Sequence, residues 1–226
     1  IIPRTLLLMG GAIAALDHVM ENGGIAGNMA GGTHHAHYDF GSGYCIFNDL
    51  AVCSFLALSK YNLNKIAVVD FDVHQGDGTA TILQNVDEAL TISVHCQQNF
   101  PFRKCESDYD LVLPANAGDE EVLVAFAKAL DITDQFGPEL ILFQAGVDGL
   151  ATDALGKLNM SRQGMSKRNE MVFDLINERS IPAIIFMGGG YSKPISHSID
   201  AFSDLFLSAY RANNQILNRI NLETLY

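Results

Sequence analysis

The stretch that most constrains the fold is Ile66–Gly78, IAVVDFDVHQGDG. It opens on Ile66-Ala67-Val68-Val69, an apolar, β-branched run of the kind found in strands buried on both faces. It then turns polar at Asp70, Asp72, His74 and Asp77, with Gly76 and Gly78 between and after them. In a parallel α/β sheet, the carboxyl end of a strand is where ligands and catalytic groups sit. Asp72 and His74 are two apart, so on an extended backbone both side chains leave from one face. A carboxylate and an imidazole placed that way make half of a zinc or iron site.

The remaining chain supplies elements that could surround such a strand. Thr5–Glu21 has helical spacing (Leu8, Ala12, Ala15, Leu16, Val19) and stops at Asn22-Gly23-Gly24. Its apolar start after Arg4 resembles a signal-peptide core, but the helical pattern continues through it, so it reads as a domain helix. Ile25–Ala30 is a short strand candidate, and Gly31–Cys45 a loop rich in glycine and histidine. Asn48–Tyr61 is helical, with Phe47, Leu50, Ala51, Phe55 and Leu58 as its apolar stripe. Further helices are expected at 77–84, 119–136, 161–178 (capped by Ser161) and 195–215, and strands at 89–94, 111–113, 139–144 and 181–187. Asp119-Glu120-Glu121 suits a helix N-terminus. Alternating strands and helices of this length predict one α/β domain over residues 1–226, a mainly parallel sheet flanked by helices on both faces.

Bulk properties narrow the function. A formal charge of −12 argues against a nucleic-acid or anionic-membrane footprint. No stretch reaches the roughly 18 apolar residues of a membrane span. Cys45, Cys53, Cys96 and Cys105 show no C-x-x-C pair, which fits free thiols in a reducing, cytoplasmic setting.

The polar clusters each follow a strand: Asp72 and His74, then Asp148, then Tyr191 after Gly188-Gly189-Gly190. In a parallel sheet these loops open on one edge. Two carboxylates and a histidine give zinc three ligands and leave a coordination position for water and substrate. Taken singly, Asp148 also fits a turn, Tyr191 a packing aromatic and the glycines backbone freedom. A nucleotide loop is disfavoured, because no G-x-G-x-x-G follows a strand. His34-His35 adds acid–base capacity, and Asp70 and Asp77 are spare carboxylates that could fix their tautomers and set different protonation states.

Five ordered blocks, HHA (34–36), GYCIFND (43–49), DFDVHQGDG (70–78), QAGVD (144–148) and GGGY (188–191), resemble the zinc-dependent histone deacetylases. This family shares the arginase–deacetylase fold with acetylpolyamine amidohydrolases. NFPFRK (99–104) is most similar to the class IV and bacterial branch. The resemblance implies that Asp72, His74 and Asp148 bind zinc, with ferrous iron an alternative. His34 and His35 would be the acid–base pair, partnered by Asp70 and Asp77, with Tyr191 donating to the substrate carbonyl. Tyr44, Phe100, Gly43 and Gly189 would line the acyl-lysine tunnel. Asp70, Asp72, His74, Ser93 and Val94 match a structural potassium site.

Tyr44 stands where many relatives have phenylalanine, so its hydroxyl would need a partner if buried. Ile46 replaces a common aromatic. Relatives also carry an additional N-terminal segment, so this chain is expected to lack the first part of the family fold. The implied activity is removal of acetyl or longer acyl groups from lysine side chains. The alternatives are deacylation of a small acylated amine, which an acidic rim would favour, and a non-catalytic acyl-lysine binding module. Oligomeric state is left open.

Overall fold

The structure is a computed structural model that describes residues 1–223, with side chains described through 217; residues 224–226, part of the expected single domain, lie outside the described residues. Among the described residues six strands form one sheet: β1 (Ile25–Asn28), β2 (Ile66–Asp70), β3 (Ala89–Cys96), β4 (Tyr109–Leu113), β5 (Leu140–Gln144) and β6 (Ala183–Phe186). Their order is β1-β6-β5-β2-β3-β4, and every pairing is parallel. Six helices among the described residues connect or flank them: α1 (Ile2–Asn22), α2 (Asp49–Lys60), α3 (Asp77–Leu83), α4 (Asp119–Phe136), α5 (Arg162–Arg179) and α6 (Ser196–Glu223).

Strand alternation feeds two cores. Ala67, Val69, Ile141, Phe143 and Ile185 pack with α4, α5 and α6 residues such as Phe126, Phe173 and Leu205. Ile66, Val68, Leu140, Leu142 and Ile184 pack on the opposite face with Leu16 of α1 and Leu50 and Ala57 of α2. Burying each valine, leucine, isoleucine or phenylalanine among them contributes roughly 1.5–3 kcal/mol, which is why the central strands are apolar on both faces.

From β2 the chain builds outward through β3 and β4, then returns to β5 and β6 on the other side. The reversal lies between β2 and β5, where Asp70 is in register with Gln144. Open α/β sheets form their binding crevice at such a point. The loops bearing Asp72 and His74, Asp148, and Tyr191 leave from β2, β5 and β6, three adjacent strands.

Several boundaries differ from the sequence expectations. β6 begins at Ala183, since Pro182 has no N–H to donate to a ladder. α6 continues to Glu223, no glycine or proline interrupting it after Ser196. β4 starts at Tyr109, a partly exposed edge strand that the apolar pattern understated. The largest correction concerns α2. Its buried positions are Asp49, Leu50, Ala51, Cys53, Ser54 and Ala57, while Phe47 and Phe55 of the expected stripe are exposed. Cys53, Ser54 and Ala57 continue the buried face that Leu50 and Ala51 begin, and the two aromatics lie outside it. Among the described residues no helix is long and apolar enough to cross a membrane.

Candidate active site

The site is built on loops held from behind. Asn48 caps α2, accepting from the Ala51 N–H at 3.0 Å, and its amide donates to the carbonyls of His34 and Ala36. Asp49, fully buried, accepts from the N–H groups of Gly32 and Thr33, each at 2.8 Å, and from the Thr33 hydroxyl. Together they fix the backbone on both sides of His34-His35. Sequence reading placed Asn48 at the helix start but missed this role. The only sign of it was two polar residues opening a helix whose next turn is apolar.

His34 Nδ1 lies 2.6 Å from Asp70 Oδ2, and His35 Nδ1 lies 2.6 Å from Asp77 Oδ1. The two imidazoles are in contact, ring centroids 4.1 Å apart, yet they ionise differently. Burial opposes a charge on His34, but Asp70 and Asp72 outweigh it and raise the group to about 9. For His35, burial and then the His34 charge prevail over Asp77 and lower it to about 4. The surroundings thus favour a proton on His34 and disfavour one on His35.

Asp72, His74 and Asp148 converge beside the pair, with ligand atoms all within 4.8 Å of one another. His74 Nδ1 faces Asp72 Oδ1 at 3.0 Å and Asp148 Oδ2 at 3.1 Å, while Asn99 lies 3.2 Å from its other nitrogen. Both carboxylates are only 1% exposed. Burial and the Asp72 charge push Asp148 up to about 7. Burial works against a charged Asp72 as well, yet His34 and His74 hold it well below the usual carboxylate range. Burial likewise disfavours a charged His74, but Asp148 and Asp72 raise it to about 11.

The group fits a divalent cation. Two buried carboxylates and one imidazole nitrogen, all within reach of one point, are the oxygen and nitrogen donors that zinc takes. The backbone also keeps a cradle clear around them. A Cβ on Gly146 would sit 2.1 Å from Asp72 Oδ2, and one on Gly189 would sit 2.2 Å from Asp148 Oδ2. The Gly189 N–H donates to Asp72 Oδ2 at 3.1 Å, and the Val73 N–H to Asp148 Oδ1 at 3.0 Å.

Behind the Asp148 loop is Arg168, fully buried and absent from the sequence expectations. Its guanidinium donates to the carbonyls of Gly146 at 2.5 Å and Ala145 at 3.2 Å, and to Asn169 Oδ1. Burial lowers its pKa to about 10, against the pull of Asp148 and Asp72. One arginine within a polar helix gives no hint of burial until α5 is docked.

These residues open into a cavity of about 930 Å³. Phe100 meets His35 edge-on at a centroid distance of 4.9 Å, and Gly43 leaves the ring room, since a Cβ there would lie 2.2 Å from His35 Cδ2. Tyr191 borders the cavity half-exposed, its N–H donating to Asp153 Oδ2 at 2.6 Å, and burial raises its phenol pKa. Tyr44 also borders the cavity but is 92% exposed: its positive φ of 66° turns it out of the Ser42–Cys45 turn. Its hydroxyl therefore meets solvent and needs no buried partner. Ser93 is in register with Asp70, and its hydroxyl lies 3.0 Å from His95 Nδ1; Val94 is buried next to it.

Comparison with known proteins bears on the family and the fold. The histone deacetylase domain family matches residues 2–204. An uncharacterized protein of Picosynechococcus sp. is 42% identical over 196 residues, covering 86% of this chain and 65% of its own length. Histone deacetylase 2 of Arabidopsis thaliana is 31% identical, covering 82% of this chain and 49% of its own. A histone deacetylase homologue from Aquifex aeolicus superposes with a TM-score of 0.80 at 26% identity, over 96% of this chain and 62% of that one. The chain thus spans between about half and two thirds of the length of these relatives. With its parallel sheet, its ordered motifs and the domain match in agreement, the chain belongs to the histone deacetylase family.

Proposed function

We propose that this chain is a catalytic domain that removes acetyl or longer acyl groups from lysine side chains, with zinc held by Asp72, His74 and Asp148. The observation that carries the reading is a pair of touching histidines, each held by its own carboxylate, set beside a donor group that could hold a metal. An amide carbonyl is a weak electrophile and water a weak nucleophile; a divalent cation, zinc or ferrous iron, polarises the first and acidifies the second. The chain's own groups would move the protons. His35, neutral and held by Asp77, accepts a proton from water as it attacks, and His34, charged and held by Asp70, supplies one to the departing amine. The Tyr191 hydroxyl donates to the oxyanion. Phe100 and Gly43 flank the path of the lysine stem, where burial contributes roughly 0.8 kcal/mol per methylene.

A structural potassium at Asp70, Asp72, His74, Ser93 and Val94 is part of the same proposal, supported by the β2–β3 register that sets Asp70 against Ser93. An acyl-lysine protein is favoured over a polycationic amine by the cavity lining. Of the charged side chains that line the cavity, the carboxylates Asp72 and Asp148 are buried at the metal group, and Arg4 and Lys157 would repel a polycation. The test compares release of acetate from an acetyl-lysine peptide and from an acetylated diamine. Faster turnover of the peptide supports the reading. Preference for the diamine reassigns the substrate, and metal binding without turnover of either favours a binding module.

A further inference from the structure

His37 does not line the cavity, and the chemistry above makes no use of it, yet its ring is tightly held. Its side chain is 12% exposed, and Nε2 lies 3.2 Å from Asp77 Oδ2, the oxygen that His35 leaves free. Nδ1 lies 2.8 Å from the Thr81 hydroxyl. Phe40 stacks on the outer face at a centroid distance of 4.2 Å and 16° between planes. The His37 N–H donates to the Phe40 carbonyl at 3.0 Å, closing the turn that brings the two rings together.

We propose that His37 is a positioning residue: by holding the second oxygen of Asp77, it fixes the plane of the carboxylate that orients His35. This rests on the acid–base role proposed for His35. A carboxylate held through one oxygen can still rotate about its last torsion, a soft coordinate for an sp³–sp² bond. Held through both, it presents Oδ1 to His35 in one direction. Thr81 Oγ1 also lies 3.0 Å from the carbonyls of Asp77 and Gly78, so it can give its proton to them or to His37. When the hydroxyl gives its proton to Nδ1, Nε2 carries the proton that Asp77 accepts, and this is the arrangement in which the clamp holds. The first turn of α3, which carries Asp77 and Thr81, is itself tied to the histidine loop by the Thr79 N–H donating to His34 O at 3.0 Å. Asp77 is held below the usual carboxylate range: burial pushes it up, but His35 and then His37 outweigh that.

The test compares His37→Leu, which removes the donor, with His37→Gln, whose amide N–H reaches the position of Nε2. In the metal-loaded chain, leucine is expected to lower kcat about 10-fold or more with KM unchanged, the usual cost of losing an outer partner, and glutamine to restore most of it. A second readout needs no activity. The His35 Nδ1 proton facing Asp77, identified by its loss in Asp77→Asn, should move in the NMR spectrum of His37→Leu and stay in place in His37→Gln. Thr81→Val loosens the ring from its other side and carries the same proton test should His37→Leu fail to fold. An unmoved proton signal overturns the inference, as does an equal loss of kcat in the leucine and glutamine variants. Inactivity of the parent chain counts against the hydrolase reading alone, and the proton signal still decides the role of His37.

Discussion

Replacing Gly146 by alanine puts a methyl group where the structure keeps the metal cradle clear. The added Cβ would lie 2.1 Å from Asp72 Oδ2 and 2.8 Å from Asp72 Cγ, whereas ordinary contact begins at 3.4 Å. The carboxylate must therefore retreat by more than about 1 Å, a displacement that typically costs ~10²-fold in a reacting site. It cannot do so freely. Oδ2 accepts from the Gly189 N–H, Oδ1 accepts from the His74 N–H, and the side chain is buried. Metal affinity is expected to weaken about 10–100-fold, or about 1.4–2.8 kcal/mol, as it does when groups that orient a ligand are lost. The assay titrates zinc into the chelated chain against a competing indicator, with thermal melting of the zinc-free protein in parallel. An alanine variant that binds zinc as tightly as the parent, with the same melting temperature, would refute the claim that these glycines exist to clear the site.

Three further outcomes are expected. Tyr191→Phe should lower kcat about 10²–10³-fold while zinc affinity stays at the parent value, the cost of one oxyanion donor; retained turnover removes the hydroxyl from the chemistry. The pH profile of kcat/KM should be bell-shaped. Protonating His35 as pH falls toward about 4 removes the base, and deprotonating His34 as pH rises through about 9 removes the acid, so a profile still rising beyond pH 9 contradicts the assignment. Arg168→Met strips donors from the carbonyls of Ala145 and Gly146, each worth about 1–3 kcal/mol when left unpaired and buried. Urea denaturation should show a loss on the order of 3 kcal/mol, and an unchanged midpoint would mean that the loop does not depend on the guanidinium.

How much of this was legible depended on whether a residue acts through its local pattern or through a distant neighbour. The β2 run of Ile66–Val69 announces a strand buried on both faces, because nothing but helices on each side can accommodate it. Ser161 and Asp119 mark the helices they open, and the Ser161 hydroxyl does accept from the Gly164 N–H. The polar residues at the strand ends could be grouped before the sheet was seen, since a parallel sheet sends those loops to one edge. Arg168 could not be read this way, because its partners are carbonyls of the β5 loop far along the chain. The buried role of Asp49 was hidden for the same reason. In α2 the hydrophobic pattern placed Leu50 and Ala51 on the buried face but also pointed to Phe47 and Phe55, whereas that face continues through Cys53, Ser54 and Ala57. Tyr44 borders the cavity, but its high exposure follows from one positive φ in a turn, which tyrosine only rarely adopts and no local pattern announces.

The most direct test of the account is zinc titration of the chelated chain while hydrolysis of an acetyl-lysine peptide is followed. Activity that is lost on chelation, returns in proportion to added zinc and saturates at one equivalent is the predicted result, with Asp148→Asn failing to recover at the same zinc concentration. Hydrolysis that survives complete removal of metal, or that Asp148→Asn restores in full, would contradict it.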